Sequence, residues 1–347
     1  MIMPTTINVP AKKAVRRAGE VLRNTGGHSA DEVRWAVDVL SQWRSLHFYP
    51  INTIQAMLRQ RVRKDFPGAI VAQRLKRFPS IVGKLLRFPD MQLDRMQDIG
   101  GLRVICDSIG DVYALHEGLL KSRRFKHTAI TPCKDYISNP KPDGYRSLHQ
   151  VFQYQNKQHE ELNVLKIEVQ LRSKLQHAWA TAVETLGIVE RASFKTGGGS
   201  ARFKRFFRLS SELFAHSEQR NGHNVAGVRA IAAELEQLEH SLQITAKLRG
   251  LALSARHISG TRANGYHLME LDAGVGRISL VPFADDQLDL AESLYREREQ
   301  QTSGNANISV VLISAGNIRE IKKAYPNYFL DTTLFVRALG RLCVKFR

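Results

Sequence analysis

The chain has 347 residues, 51 Lys+Arg against 33 Asp+Glu, and a formal net charge of +18. That length allows about one to three domains with an ample core, and the basic excess predicts a polyanionic partner with steep salt dependence. Cys106, Cys133 and Cys343 are far apart with no CxxC pair, so neither a disulfide framework nor a cysteine-rich zinc site is readable; the lack of a long apolar run leaves no signal peptide or membrane span and points to a cytoplasmic protein.

Residues 1–28 are polar and basic and are expected to be partly disordered. From Ser29 the pattern turns helical, with Val33, Ala36, Val37, Leu40 and Trp43 on one face and Asp31 and Glu32 in the first turn. A second, short helix is expected after Pro50. Ala69–Lys76 reads as a strand, Phe78–Arg87 as a helix opened by Pro79, Gly101–Cys106 as a strand and Val112–Leu120 as a helix. Tyr145–Tyr154 and Leu165–Arg172 read as further strands, then Lys174–Glu190 as a helix. Strands with helices between them give an α/β domain. Gly197–Gly199 is a break. One or two helices over Arg202–Arg249 follow, with Leu235, Leu238, Leu242 and Leu248 at helical spacing. Tyr266–Leu271 and Arg277–Val281 pair as strands, Asp286–Gln300 is helical, Ile308–Ile313 is a strand, Ile318–Lys323 a short helix, and a last helix starts at Asp331. The expected organisation is an N-terminal helical region (1–68), an α/β domain (69–196), a helical linker (197–253) and a smaller C-terminal α+β domain (254–347). Basic residues cluster over Arg59–Arg87, where Asp65 is the lone acid, and over Arg191–Arg208, where there is none.

The chemistry concentrates around Lys134-Asp135-Tyr136-Ile137-Ser138-Asn139-Pro140-Lys141-Pro142-Asp143-Gly144-Tyr145-Arg146-Ser147-Leu148-His149. Asn-Pro and Asp-Gly are turn dipeptides. An aromatic ring among the cations Lys134, Lys141 and Arg146 suits a nucleotide, the ring stacking on a base and the cations meeting phosphates. Upstream, Asp98-Ile99-Gly100-Gly101-Leu102-Arg103 sets a carboxylate beside an apolar run; downstream, Glu168 does the same in Ile167-Glu168-Val169-Gln170-Leu171-Arg172. A lone charge there is costly to bury. Two such carboxylates near phosphate-binding cations suggest a Mg²⁺ site for phosphoryl chemistry.

These three motifs, in this order, resemble the synthetase domain of the RelA/SpoT alarmone family over about residues 55–190. The resemblance implies a nucleotidyltransferase-like domain with a mixed sheet and flanking helices, in which ATP is the pyrophosphate donor. Arg74 and Arg103 match the arginines that sandwich adenine. Lys76, Ser80 and Lys84 match phosphate contacts. Asp98 and Glu168 match the catalytic Mg²⁺ carboxylates. Tyr145 would stack on the acceptor base, and Lys134, His149, Gln170 and Arg172 would line the acceptor side. His177, also placed on the acceptor side, stands where guanine-nucleotide-using members usually have an Asn; a His can still hydrogen-bond a base edge, but guanine selectivity is put in doubt.

Three readings of the function compete. The clustered charge favours an RNA acceptor, the 3′ end of tRNA, and hence a toxic enzyme that blocks translation. The alternative acceptor is GDP or GTP, giving (p)ppGpp. The third reading is a catalytically degenerate RNA-binding module, against which the intact Asp98 and Glu168 argue. Tyr325-x-x-Tyr328, on a β-rich C-terminal segment lacking zinc ligands, resembles the neutralising domain of the CapRel fused toxin–antitoxin proteins of phage defence. That resemblance implies autoinhibition, with the two tyrosines occupying the Arg74–Arg103 clamp, and release by phage major capsid protein.

Overall fold

Ile167, Val169 and Leu171 alternate with Lys166, Glu168, Gln170 and Arg172, a period of two that gives a strand one apolar and one polar face. The computed structural model describes residues 7–189, 201–218, 225–254, 265–272, 277–302, 305, 308–315 and 332–346. Its strands are β1 (Ile70–Leu75), β2 (Gly100–Cys106), β3 (Thr128–Asp135), β4 (Leu148–Gln153), β5 (Lys166–Ser173), β6 (Gly265–Asp272), β7 (Arg277–Phe283) and β8 (Ile308–Ala315). They form one mixed sheet of order β3-β4-β5-β2-β1-β8-β6-β7, parallel at β2/β5 and antiparallel at the other pairings.

The apolar face of β1, β2, β4 and β5 carries Val71, Leu75, Leu102, Val104, Leu148, Phe152, Ile167, Val169 and Leu171, all buried. Helices α3 (Phe48–Asp65) and α5 (Ile109–Leu120) supply Ile51, Ile54, Leu58, Val112 and Leu115 to the same core. Side chains of this size each stabilise by about 1.5–3 kcal/mol when fully buried. A second core joins α6 (Lys174–Val189), α7 (Ala201–Glu218), α8 (Val225–Leu242), α9 (Ile244–Ser254) and the last helix, α11 (Thr333–Lys345). Trp179, Phe206, Phe207, Phe214 and Phe335 fill it, and Leu235, Leu238 and Leu248 are buried there as their spacing predicts. The remaining helices are α1 (Lys12–Arg23), α2 (Ala30–Leu46), α4 (Phe78–Arg87) and α10 (Leu288–Gln301).

Several expectations change. The basic N-terminal stretch contains α1, whose Val15, Ala18, Val21 and Leu22 are buried; five cations in that helix masked a spacing that one helix face explains. The short helix after Pro50 runs for 18 residues, because Ile51, Ile54, Leu58 and Val62 keep one face apolar to its end. Strand β3 went unread because it lies at the sheet edge, polar and interrupted by Pro132, as edge strands are. The run from Tyr145 becomes a strand only at Leu148, since Gly144 has φ +92° and Arg146 turns into the helical core. The C-terminal α+β region is present, and its strands continue the same sheet: β8 pairs with β1 at Gln73↔Ser314 and Arg74↔Ile313. The short helix expected at Ile318–Lys323 lies outside the described residues, as do Tyr325 and Tyr328.

Candidate active site

Register gathers the site on the sheet face opposite the first core. Across β1/β2, Ala72 faces Arg103 and Arg74 faces Gly101, so Arg74 and Arg103 are diagonal neighbours on one face. Across β2/β5, Gly101 faces Glu168 and Arg103 faces Gln170. Across β4/β5, His149 faces Gln170, and across β3/β4, Lys134 faces His149. Seven residues expected at the site (Arg74, Arg103, Lys134, His149, Glu168, Gln170, Arg172) thus share one surface. Arg103 is buried and Arg74 exposed, so the two guanidinium groups give a wall set into the sheet and a wall facing solvent.

Asp98 lies just before β2, where both its oxygens are held. Lys76 Nζ donates to Oδ2 and Lys84 Nζ to Oδ1, each at 2.8 Å. Lys76 closes the turn after β1. Ser80 and Lys84 lie one turn apart on α4, which Pro79 opens in its first turn. Burial pushes the Asp98 carboxyl up, but the two ammonium groups outweigh it and hold the group well below the usual carboxylate range. Burial also draws Lys76 below the ordinary lysine value, against the pull of Asp98. Two cations are therefore held on one ionised carboxylate.

Glu168 sits in a closed ring of hydrogen bonds. His149 Nδ1 lies 2.9 Å from its Oε1, and Gln170 Nε2 donates to its Oε2 at 2.8 Å. Arg172 Nη2 donates to Gln170 Oε1 (2.6 Å) and to Tyr145 Oη (3.1 Å), which is 2.8 Å from His149 Nε2. His149 donates from Nδ1 to the carboxylate; its Nε2 accepts from Tyr145 when the ring is neutral and donates to Tyr145 when the ring is charged. Burial pushes Glu168 up, while the His149 hydrogen bond and charge and the Gln170 amide lower it more, to about 2. The charge of Asp98 also raises it, so the two carboxylates feel each other.

Tyr145 is fixed by its hydroxyl and keeps an electron-rich ring. Lys141 Nζ lies 4.9 Å from its centroid and 4.6 Å from that of Tyr136; Arg172 Cζ lies 5.6 Å from the Tyr145 centroid. The exposed Lys141 ammonium is thus shared by two rings, a contact worth about 0.5–1 kcal/mol at an exposed site.

Two sequence expectations change here. Arg146, read as a loop cation for phosphate, is 3% exposed and pairs with Glu218 at 2.9 Å; it anchors the loop to α7. His177, expected on the acceptor side, is buried on α6, and its backbone carbonyl accepts the Thr181 hydroxyl at 2.9 Å. Sequence reasoning missed Asp135 as the organiser of the loop. Its Oδ1 accepts from the Ile137 and Ser138 amides and its Oδ2 from Tyr113. The signal was available, since Asp two and three residues before those amides is an Asx turn.

The residues suit Mg²⁺. Asp98 and Glu168 offer hard, ionised oxygens that repel each other. Among the described residues no group of three or more His, Cys, Asp or Glu side chains could cage a metal. Mg²⁺ sites commonly use one or two carboxylates completed by substrate phosphates, which is what this pair provides. No helix among the described residues is long and apolar enough to cross a membrane.

The family model described as "Region found in RelA / SpoT proteins" matches residues 73–197. The chain is 35% identical over 114 residues to GTP pyrophosphokinase YwaC and 32% identical over 122 residues to GTP pyrophosphokinase YjbM, both of Bacillus subtilis (strain 168). These matches cover 31% and 35% of this chain and 52% and 56% of the relatives, so the chain spans about half the length of each. Among solved structures, a GTP pyrophosphokinase family protein from Streptococcus pneumoniae is 26% identical with a TM-score of 0.41, over 50% of this chain and 85% of that one. The matched stretch, residues 73–197, includes every residue expected in the donor and acceptor sites.

Proposed function

We propose that the chain is an ATP-dependent pyrophosphokinase that transfers the β,γ-pyrophosphate of ATP to the 3′-hydroxyl of GDP or GTP. The observation that carries this reading is the pair Asp98 and Glu168, one just before β2 and one on the neighbouring β5, both held ionised, with two lysines on the first and the Tyr145–His149 network on the second. The names of the relatives, GTP pyrophosphokinases, support a guanosine acceptor over the tRNA acceptor that the charge alone favours.

In the reaction the 3′-oxygen bonds to the β-phosphorus, the bond from that phosphorus to the α,β-bridging oxygen breaks, and AMP leaves. Arg74 and Arg103 hold adenine between guanidinium planes. Lys76 and Lys84 leave Asp98 for the transferring phosphates and stabilise developing charge. Glu168, oriented by His149 and Gln170, accepts the hydrogen bond of the attacking hydroxyl; its low pKa makes it an orienting acceptor that passes the proton on to solvent. Asp98 and Glu168 would hold Mg²⁺, which would supply neutralisation of phosphate charge. Tyr145 stacks on the guanine.

A second reading keeps tRNA as acceptor, supported by the net charge of +18 and its clustering. Incubation with labelled ATP and GDP, GTP or deacylated tRNA separates the two. Label in (p)ppGpp is expected; label on tRNA alone would overturn the guanosine acceptor, and label on neither would overturn the activity. As part of this reading we also carry the regulatory role of Tyr325 and Tyr328, with capsid protein as trigger.

A further inference from the structure

The strand and turn that would hold ATP are built partly by the C-terminal third of the chain. Glu299, on α10, accepts from the Phe78 amide through Oε1 (2.8 Å). Phe78 is the first residue of α4, so a carboxylate more than 200 positions away satisfies an amide at the helix end beside the phosphate-binding lysines. Glu299 Oε2 accepts from Arg44 Nη1 at 2.9 Å, and Arg44 Nε donates to the carbonyl of Lys76 at 3.1 Å. Tyr295 closes the node: its hydroxyl accepts from Arg44 Nη2 (2.9 Å) and donates to Glu299 Oε1 (3.1 Å). The side chains of Arg44 and Glu299 are 4% and 11% exposed, which shields the node from water.

The turn from β1 to α4 is therefore held at two backbone atoms, Lys76 O and Phe78 N, on either side of one residue. Lys76 reaches Asp98 from this turn. The strand before it has C-terminal attachments too. Gln73 and Arg74 pair with Ser314 and Ile313 of β8. Gln73 Nε2 also donates to Asn52 Oδ1 (2.9 Å), and Asn52 Nδ2 donates to the Tyr266 hydroxyl of β6 (2.7 Å).

We propose that Glu299 and Tyr295 are positioning residues for ATP, and that α10 with β8 forms a built-in wall of the donor site. The proposal rests on the donor role given to β1 and α4 above. Displacement of about 1 Å can cost two orders of magnitude in an oriented reaction, so slackening this turn acts on ATP first. The acceptor side, on β4 and β5, has no share in the node and keeps its geometry.

The test uses the full chain with Glu299→Ala, Glu299→Gln and Tyr295→Phe. KM for ATP is measured at saturating GDP, KM for GDP at saturating ATP, and amide exchange is followed in peptides spanning 72–82 without nucleotide. Glu299→Ala should raise KM for ATP about tenfold, leave KM for GDP within about twofold, and speed exchange at the turn. Glu299→Gln, which keeps one acceptor oxygen for Phe78 but turns the oxygen facing Arg44 into a donor, should recover part of the loss, and Tyr295→Phe should show a smaller rise of the same kind. Unchanged KM for ATP in Glu299→Ala, or equal rises for both substrates, would overturn the proposal. If Glu299→Ala does not fold, Tyr295→Phe, lacking one hydroxyl, decides it by the same comparison. Absence of transfer in the wild type counts against the proposed function, and turn exchange unchanged in both Glu299→Ala and Tyr295→Phe counts against the clamp.

Discussion

Single residues set the charge state of the site, and the two carboxylates do so by different means. Asp98 is held ionised by two lysines, Glu168 by an imidazole and an amide. The Glu168 pKa is depressed, so its ionised form persists until pH falls toward about 2. No acid limb from this group is expected between about pH 4 and 6, and one centred there in the pH profile of kcat, abolished by no other variant, would overturn its placement. Glu168→Gln keeps the shape but removes the charge and turns one oxygen into a donor facing His149. Transfer is expected to fall by at least about a thousandfold, with a far-ultraviolet spectrum like wild type. Both carboxylates were legible in the sequence because a charge beside an apolar run is conspicuous. Arg146 was misread for the same reason: a cation next to Tyr145 looks like a ligand contact until Glu218, 72 positions later, is found beside it.

Among the elements, the loop from Asp135 to Ser147 is held at both ends, by the Asp135 carboxylate and by α7. Gly144 adopts φ +92°, and a Cβ added there would lie 3.1 Å from both Arg208 Cα and Ser211 Cβ of α7. Its carbonyl accepts from the Ser211 hydroxyl at 2.6 Å. Gly144→Ala therefore meets both a conformational penalty and a steric one, and a loss of about 1–3 kcal/mol of stability is expected. Chemical denaturation checks this, and a midpoint equal to wild type would show that α7 yields. The strand–helix order was readable from period and turn chemistry. The edge strand β3 was not, since an edge needs no alternation and tolerates Pro132. The length of α3 was underestimated because Gln55 and the cations Arg59 and Arg61 dilute a face that only packing reveals.

At the scale of the whole molecule, residues after 265 contribute to both cores. Tyr266, Leu268, Tyr295 and Val310 join the first, and Phe335 and Leu339 the second. Deleting them would open the β1 edge, so the regulatory role of Tyr325 and Tyr328 is better tested by point variants. Tyr325→Ala with Tyr328→Ala is expected to raise basal transfer without a trigger; a folded double variant no more active than wild type would remove the tyrosines from regulation. The C-terminal packing also predicts a pH dependence. Glu292 of α10 is buried, and burial, only partly offset by Arg296, raises its pKa to about 7. A carboxyl raised in the folded state binds a proton that the unfolded chain has released, so stability is lost as pH rises from about 5 to 7. Glu292→Gln should be the more stable protein at pH 8, by about 2–3 kcal/mol more than at pH 5; an equal difference at both values would show that Glu292 is ionised in the fold. The sequence by itself determined which residues the sheet gathers on one face, because the alternation of β5 and the spacing of the three motifs are local patterns. Tertiary structure alone decided that the C-terminal third shares the donor strand's sheet and holds its turn. Pairing between β1 and β8, and a bond between Phe78 and Glu299, depend on backbone groups that every residue carries, and leave no mark in the order of side chains.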